Sequence, residues 1–161
     1  RVQRPVGMAV CIGDRHNDNI MCTRDGKLFH IDFGHFLGNW KSKFGIKRER
    51  VKFILTPDFV YAMSNGSGAK SPEYKKYKEL CRRAYLIVRK KANLFINLLN
   101  MMLSTGIPEL QSKDDVAYLQ STLCLDVSDE EAGELFMGEI DQALKDSWSV
   151  RANWAAHILA H

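Results

Sequence analysis

Apolar residues divide the chain into a short part with strand-like spacing and a longer part with helical spacing. Two β-like runs, 20–23 and 27–31, flank a turn with Asp25-Gly26 at its tip, which is a strong hairpin signal. Residues 32–55 follow with three glycines and no sustained helical or strand period. Loops this long inside compact domains are usually functional or disordered, so we expect a β-hairpin that leads into a functional loop.

The remainder of the chain has helical spacing. Thr56-Pro57 has the form of an N-cap followed by proline at the first helical position, and it predicts a helix through Met63. Ser71-Pro72 repeats this start signal, and apolar residues then recur at helical spacing as far as Leu103. The stretch 94–103 is so apolar that it predicts a buried central helix.

Further helix starts follow toward the C-terminus. Ser112 is expected to cap a helix to about Leu123, and Ser128 with Glu131 has the form of a capping box for a helix that ends near Asp146. A last amphipathic segment contains Trp148, Trp154, Ile158 and Leu159. The pattern as a whole predicts an α+β, mainly helical fold with a hairpin, a long loop and then several helices.

Composition places the chain among soluble globular proteins. Its 161 residues suit one domain, of which 45% are hydrophobic and 26% are charged. No apolar run approaches the ~20 residues that cross a bilayer, and the short run 6–12 is too brief for a signal peptide. None of the cysteines is spaced as a zinc pair, so we expect reduced thiols in a cytosolic chain at Cys11, Cys22, Cys81 and Cys124.

The positive charge is concentrated in one loop. Between Lys41 and Lys52 the sequence has six basic residues and one acidic residue, so this segment carries +5. Because the whole chain carries +4, the remainder has a net charge of −1. An anionic partner is therefore expected to contact this loop.

The residues on either side of the hairpin have the composition of a phosphoryl-transfer site. The sequence before the hairpin reads Asp14-Arg15-His16-Asn17-Asp18-Asn19, and the sequence after it reads Asp32-Phe33-Gly34. Phosphoryl transfer from ATP uses magnesium held by hard oxygen ligands, which Asn19 and Asp32 supply if the hairpin folds both ends toward one site. Asp14 and Asn19 also have the separation of the catalytic Asp and metal-binding Asn of protein kinases.

The order of these residues resembles that of one kinase superfamily. Protein kinases read His-Arg-Asp, whereas this chain reads Asp-Arg-His and has His35 directly after the DFG tripeptide. The stretches 13–21 and 28–38 are similar to the signatures of the phosphoinositide 3-kinase and related-kinase superfamily. The resemblance continues through the C-terminal Trp-x-x-His segment and covers nearly all of residues 12–161.

This resemblance implies a protein-kinase-like C-terminal lobe, in which a small β-hairpin bears the catalytic and DFG motifs and a helical bundle follows. Residues 11–31 would form the catalytic loop and hairpin, 32–55 the activation loop and 56–161 the helical region of this lobe (1–161 overall). The phosphate-covering loop and lysine of an N-terminal lobe are not recognisable in the sequence. We therefore expect a partial catalytic domain without kinase activity of its own.

The resemblance also implies roles for individual residues. His16 would be the candidate general base or charge stabiliser at the lipid hydroxyl, and an unperturbed imidazole pKa of ~6.5 suits a proton acceptor near neutral pH. Asp14 would orient the loop or assist that proton transfer, and Arg15 would brace the loop through hydrogen bonds. His35 would approach the transferring phosphate. The implied cofactors are ATP and Mg²⁺, with Asn19 and Asp32 as metal ligands and with Phe33 and Gly34 as further residues of the cofactor site.

In this superfamily the loop after the DFG tripeptide contacts the lipid headgroup, and here that loop has two basic boxes. Lys and Arg side chains suit phosphate oxygens. Two boxes resemble the class I pattern, which implies phosphatidylinositol 4,5-bisphosphate as substrate and its inositol 3-hydroxyl as the acceptor. The headgroup-binding candidates are Lys41, Lys43, Lys47, Arg48 and Arg50. Trp154 is a candidate for contact with the membrane.

The implied protein is a cytoplasmic enzyme that is recruited to the inner face of the plasma membrane. Its expected partners are a phosphoinositide lipid, an anionic membrane surface and a regulatory or adaptor subunit, with no nucleic acid. Two alternatives stay open: a Ser/Thr protein kinase of the related superfamily, and a non-catalytic fragment that binds membranes or a partner. The two basic boxes disfavour the first, and the retained metal ligands argue against the second for the parent protein.

Overall fold

The computed structural model describes Arg15 and residues 17–37, 42–43, 46–47, 53–108, 110 and 112–147. Short strands precede a set of helices, as the sequence predicts. The strands are β1 (Ile20–Cys22), β2 (Leu28–His30), β3 (Ser42–Lys43) and β4 (Ile46–Lys47). The α-helices are α1 (Pro57–Met63), α2 (Pro72–Arg89), α3 (Ala92–Met102), α4 (Lys113–Thr122) and α5 (Asp129–Lys145). One-turn 3-10 helices occupy Asn17–Asn19 and Leu103–Thr105.

The predicted hairpin is confirmed. Strands β1 and β2 pair in antiparallel fashion, with Met21 opposite Phe29. The turn is held by Thr23, whose Oγ1 accepts a hydrogen bond of 2.9 Å from the amide of Lys27. Gly26 has φ +80°, a left-handed backbone angle that glycine adopts without steric cost. The Asp25-Gly26 signal therefore marks the turn correctly.

The long loop is not entirely irregular. The sequence shows no strand period in 32–55, yet β3 and β4 form a second antiparallel hairpin in which Ser42 is opposite Lys47 and Lys43 is opposite Ile46. Two residues per strand are too few to produce a readable alternation, which explains why the pattern missed this hairpin.

The predicted helix starts are confirmed, and side chains hold most of them. Ser71 Oγ accepts from the amide of Tyr74 at the start of α2, and Ser128 Oγ accepts from the amide of Glu131 at the start of α5. At α4 the cap is reciprocal, because Ser112 caps the first turn and the Asp115 carboxylate accepts from the Ser112 amide. Such caps satisfy amides that have no partner within the helix.

The helical pattern that runs as far as Leu103 is divided into two helices. Helix α2 ends at Arg89, and α3 begins at Ala92. The Arg89 side chain donates to the carbonyls of Leu123, Cys124 and Val127, which ties the end of α2 to the turn before α5. The break is thus set by a tertiary contact that local spacing does not reveal.

Helices α2 and α5 pack in antiparallel fashion around the core. Lys78 near the start of α2 contacts Asp141 near the end of α5, with 2.7 Å between Nζ and Oδ1. Between the helices, the Tyr85 and Phe136 rings stack with centroids 4.3 Å apart. Gly133 allows this approach, because a Cβ there would lie 2.7 Å from Arg82 Nε. No helix among the described ranges is long and apolar enough to span a membrane.

The prediction that 94–103 is a buried central helix is wrong. Only Ala92 and Ile96 of α3 are buried, whereas Leu94 and Met101 are 54% and 73% exposed. Apolar residues occur on every side of this helix, so its sequence cannot indicate which side contacts the rest of the fold. Helix α3 packs against α4.

Candidate functional site

Arg15 joins the two ends of the first hairpin. Its Nη1 donates to the carbonyl of Ile31 at 2.7 Å and to the carbonyl of Asn19 at 3.3 Å, and its Nη2 donates to the carbonyl of Asp32. Arg15 is only 2% exposed. Burial of a guanidinium costs free energy unless its N–H groups donate hydrogen bonds, and three backbone carbonyls accept from Arg15.

The main chains of Asn19 and Asp32 are held close together. The Ile31 amide donates to the Asn19 carbonyl at 3.2 Å, which extends the ladder beyond β1 and β2 by one residue pair. Asp32 follows Ile31 directly and shares Arg15 with Asn19. The hairpin therefore brings together the backbones of the two predicted metal ligands.

Asp32 has an unusual backbone angle for a residue with a side chain. Its φ is +57°, in the left-handed region that glycine favours and that Asp tolerates better than most residues. Its Oδ1 accepts from the Gly34 amide at 3.3 Å. Such strained angles persist where the surroundings fix them and often occur at functional sites. The Asp32 carbonyl is held by Arg15 while its side chain is exposed.

One face of the hairpin is apolar and exposed, which the sequence reasoning missed. Met21 and Phe29 form a cross-strand pair, and Ile31 lies two residues beyond Phe29. Because side chains alternate along a strand, these three share one face of the hairpin. Their exposed fractions are 42% for Met21 and 40% for both Phe29 and Ile31. Phe29 and Ile31, which are apolar and flank the polar His30, were the signal that could have identified this face.

The remaining predicted site residues fall into two groups. Phe33 is 53% exposed, and Gly34 and His35 are partly buried just beyond Asp32. The backbones of Lys43 and Lys47 lie on the adjacent strands β3 and β4. The other predicted residues lie outside the described part of the chain: Asp14, His16, Lys41, Arg48, Arg50 and Trp154.

The donor types at the base of the hairpin fit a magnesium ion. An Asn carboxamide and an Asp carboxylate are hard oxygen ligands, and Mg²⁺ usually takes only one or two carboxylates together with substrate phosphates. Within the described ranges no group of three or more His, Cys, Asp or Glu side chains is placed to hold a metal ion. The arrangement thus suits a metal that a phosphorylated substrate helps to hold.

Comparison with known proteins defines the class of this protein. Residues 6–112 match the model of the family described as phosphatidylinositol 3- and 4-kinase. The chain belongs to this family.

The chain is also similar to individual phosphatidylinositol 3-kinases. The chain is 53% identical over 150 residues to phosphatidylinositol 3-kinase 1 of Dictyostelium discoideum, and 49% identical over 150 residues to phosphatidylinositol 3-kinase 3 of the same organism. Each match covers 93% of this chain and 9% of the relative. The chain thus spans about a tenth of the length of these curated relatives.

Proposed function

We propose that these residues form the C-terminal lobe of the catalytic domain of a phosphoinositide 3-kinase. Residues 11–31 act as the catalytic loop and hairpin, 32–55 as the activation loop and 56–161 as the helical region of this lobe. The enzyme transfers a phosphoryl group from ATP to the 3-hydroxyl of phosphatidylinositol 4,5-bisphosphate. The observation that carries this proposal is the joining of Asn19 and Asp32 through Arg15, in a chain about half identical to phosphatidylinositol 3-kinases.

In this proposal Asn19 and Asp32 would hold a magnesium ion. When bound, Mg²⁺ would offset the negative charge of the phosphates during transfer. Arg15 fixes the backbone from which both ligands extend, with hydrogen bonds to both residues. Phe33 and Gly34 complete this part of the cofactor site, since the Gly34 amide donates to the Asp32 carboxylate.

Two histidines act on the transferring group. As the inositol 3-hydroxyl oxygen bonds to the γ-phosphorus, His16 accepts the hydroxyl proton and the bond from phosphorus to the ADP oxygen breaks. Asp14 orients the loop or assists that proton transfer. His35 lies three residues beyond Asp32 and approaches the transferring phosphate from the activation loop.

The apolar face of the hairpin packs against the nucleotide base. Met21, Phe29 and Ile31 are exposed apolar residues on one face of the hairpin. Nucleotide sites combine an apolar wall with a few placed polar groups. Because phosphates held at Asn19 and Asp32 leave the base within reach of the hairpin, this face provides that wall.

The second hairpin presents the basic boxes to the lipid. Lys43 and Lys47 belong to its two paired strands, where Lys43 is opposite Ile46 and Lys47 is opposite Ser42. Lys41, Arg48 and Arg50 flank these strands and complete a set of cations for a headgroup with several phosphates.

Near an anionic leaflet each cation contributes about 1 kcal/mol, so the segment aids recruitment from the cytoplasm without acting as a permanent anchor. Trp154 adds a membrane contact, and a regulatory subunit supplies further recruitment.

Replacement of the loop cations tests the lipid assignment. In the full chain that contains these residues, we expect exchange of Lys41, Lys43, Lys47, Arg48 and Arg50 for Ala to lower 3-phosphorylation of bisphosphate vesicles by about 100-fold or more, with ATP hydrolysis retained. A matched control removes five exposed cations of the helical region: Lys75, Lys76, Arg83, Lys90 and Lys91. Equal loss in both variants, or unchanged lipid phosphorylation in the first, contradicts the assignment. Continued phosphorylation of a protein Ser/Thr substrate with unchanged lipid activity would favour the related protein kinases.

The 161 residues alone are proposed to lack kinase activity, because no stretch of them supplies a phosphate-covering loop with its lysine. Measurement of ATP turnover by the isolated segment, with and without bisphosphate vesicles, tests this point. Turnover above that of an Asp32→Asn control would contradict it.

A further inference from the structure

Leu37 has a backbone angle that leucine seldom adopts. Its φ is +52°, in the left-handed region where Cβ crowds the following carbonyl oxygen. Within the described ranges, positive φ outside glycine also occurs at Asp32, Asn65 and Cys124. Asp and Asn tolerate this region because their short polar side chains form local hydrogen bonds, whereas a leucine side chain forms none. The angle at Leu37 therefore needs a cause outside its own residue type.

The hydrophobic core supplies that cause. Leu37 is only 2% exposed, and it belongs to the same core cluster as Leu55 and Val60. A left-handed angle persists at such a residue when the surrounding structure fixes it. Because the side chain of Leu37 is enclosed in the core, the direction of the backbone at this point is set by a tertiary contact and not by local preference.

Leu37 lies between the two parts of the proposed site. Asp32 is five residues before it, and the first basic residue of the loop, Lys41, is four residues after it. The Asp32 carbonyl is held by Arg15. At the other end of the loop, Phe53 is 8% exposed and belongs to the same core cluster as Leu37. The stretch that contains the basic boxes thus begins and ends at residues fixed in one core.

We propose that Leu37 is a positioning residue for phosphorylation of the lipid. Its buried side chain holds the left-handed angle, and this angle directs the basic loop toward Asn19 and Asp32. The inference rests on the proposed function, since it gives the loop the task of holding the lipid headgroup. Leu37 contacts neither ATP nor lipid in this role. Hydrolysis of ATP without lipid needs the metal ligands, which Arg15 holds independently, so the proposal separates the two activities.

Two substitutions of similar volume separate the backbone angle from the packing of the side chain. Leu37→Ile and Leu37→Met both keep an apolar side chain that suits the core. Isoleucine is branched at Cβ and resists a left-handed angle, whereas methionine is unbranched there, as leucine is. In the full-length chain, we expect Leu37→Ile to lower 3-phosphorylation of bisphosphate vesicles by about tenfold, because the loop is displaced from the reacting groups. Leu37→Met should stay within about twofold of the unsubstituted chain.

Leu119→Ile is the matched control. Leu119 is also a leucine that is 2% exposed in the core, but it lies within α4, where the backbone is helical. We expect this control to phosphorylate lipid within about twofold of the unsubstituted chain, and all three variants to hydrolyse ATP without lipid at near-normal rates. Equal loss of lipid phosphorylation in the Ile and Met variants of Leu37, or in Leu37→Ile and Leu119→Ile, overturns the proposal. An equal loss of ATP hydrolysis and lipid phosphorylation in Leu37→Ile also overturns it.

Hydrogen exchange gives a measurement that does not depend on activity. The Gly34 amide donates to the Asp32 carboxylate, and we expect the amides of residues 33–37 to exchange about tenfold faster in Leu37→Ile than in Leu37→Met. Equal exchange in these two variants overturns the role of Leu37 as an anchor. If the unsubstituted full-length chain does not phosphorylate lipid, the proposed function fails, whereas the exchange comparison still decides whether Leu37 fixes this segment.

Discussion

Arg15 Nη1 lies 2.7 Å from the carbonyl oxygen of Ile31, the residue that precedes Asp32. This hydrogen bond connects the residues just before the first hairpin to the residues just after it. Arg15 also reaches Asn19, so one buried side chain sets the separation of both proposed metal ligands. We therefore expect Arg15 to be a positioning residue. Its replacement should lower activity because Asn19 and Asp32 are displaced.

Arg15→Lys is expected to reduce kcat in the full chain by about 10- to 100-fold, because a single ammonium cannot reproduce the three-carbonyl contact of the guanidinium. A positioning role also predicts a higher magnesium requirement, which a merely structural loss would not produce. Arg24→Lys, in the exposed turn of the same hairpin, is the matched control. Unchanged magnesium dependence in Arg15→Lys would contradict the role, whatever the change in thermal stability.

Asp32→Asn should lower kcat by about 100-fold or more and raise the magnesium concentration for half-maximal activity, because it removes a charged oxygen ligand. The control is Asp25→Asn, which changes a carboxylate in the turn of the same hairpin. Hydrogen bonds from Lys27 and then from Thr23 hold the pKa of Asp25 below its usual value. We expect near-normal kinetics for that variant. Similar kinetic losses in both would show that Asp32 acts only through the fold of the hairpin.

Phe29→Ala tests the apolar wall. We expect KM for ATP to rise by about tenfold with kcat nearly unchanged, since a lost base contact of about 1–3 kcal/mol weakens binding in the ground and transition states alike. Leu135→Ala is a control of comparable exposure, 50% against 40%, on α5. If KM for ATP stays constant while KM for lipid rises, the face contacts the lipid instead.

Local signals made much of this fold predictable, and tertiary contacts limited the rest. Asp25-Gly26 and the caps at Ser71 and Ser128 act within a few residues, so the sequence alone locates them. The break after Arg89 depends on carbonyls more than 30 residues away, which no window of sequence contains. The approach of Asn19 to Asp32 was predictable from the hairpin between them, but the three acceptors of Arg15 were not.

Two glycines of α5 offer a matched test of the helix packing. A Cβ at Gly138 would meet nothing within 4 Å, so Gly138→Ala should raise the free energy of unfolding by about 1 kcal/mol. Gly133→Ala should not raise the free energy of unfolding in this way. Its Cβ would lie 2.7 Å from Arg82 Nε and would displace the Arg82 side chain from Glu134. Denaturant unfolding monitored by circular dichroism measures both. Equal stabilisation would show that α2 and α5 do not approach as described.

Tyr74 makes the stability of the helical region dependent on alkaline pH. Burial, with the nearby Asp141 carboxylate, raises the pKa of Tyr74 from the ordinary 10.0 to about 12, and its hydroxyl has no hydrogen-bond partner among the residues that the structure describes. Below pH 10 the phenol is neutral in both folded and unfolded states. As the pH rises from about 10 to about 12, the unfolded state releases the proton more readily, so the free energy of unfolding should fall.

Tyr74→Phe removes this titration, and the ring still fits a site that is 3% exposed. We expect the variant to be at least as stable as the natural chain at pH 8, because it loses an unpartnered buried hydroxyl. We also expect a smaller loss of stability above pH 10, measured by denaturant unfolding at half-unit pH steps. Tyr61→Phe, at a residue that is 67% exposed, is the control and should follow the natural chain. If Tyr74→Phe and Tyr61→Phe gave the same pH profile, the Tyr74 hydroxyl would be in contact with solvent and not enclosed between α2 and α5.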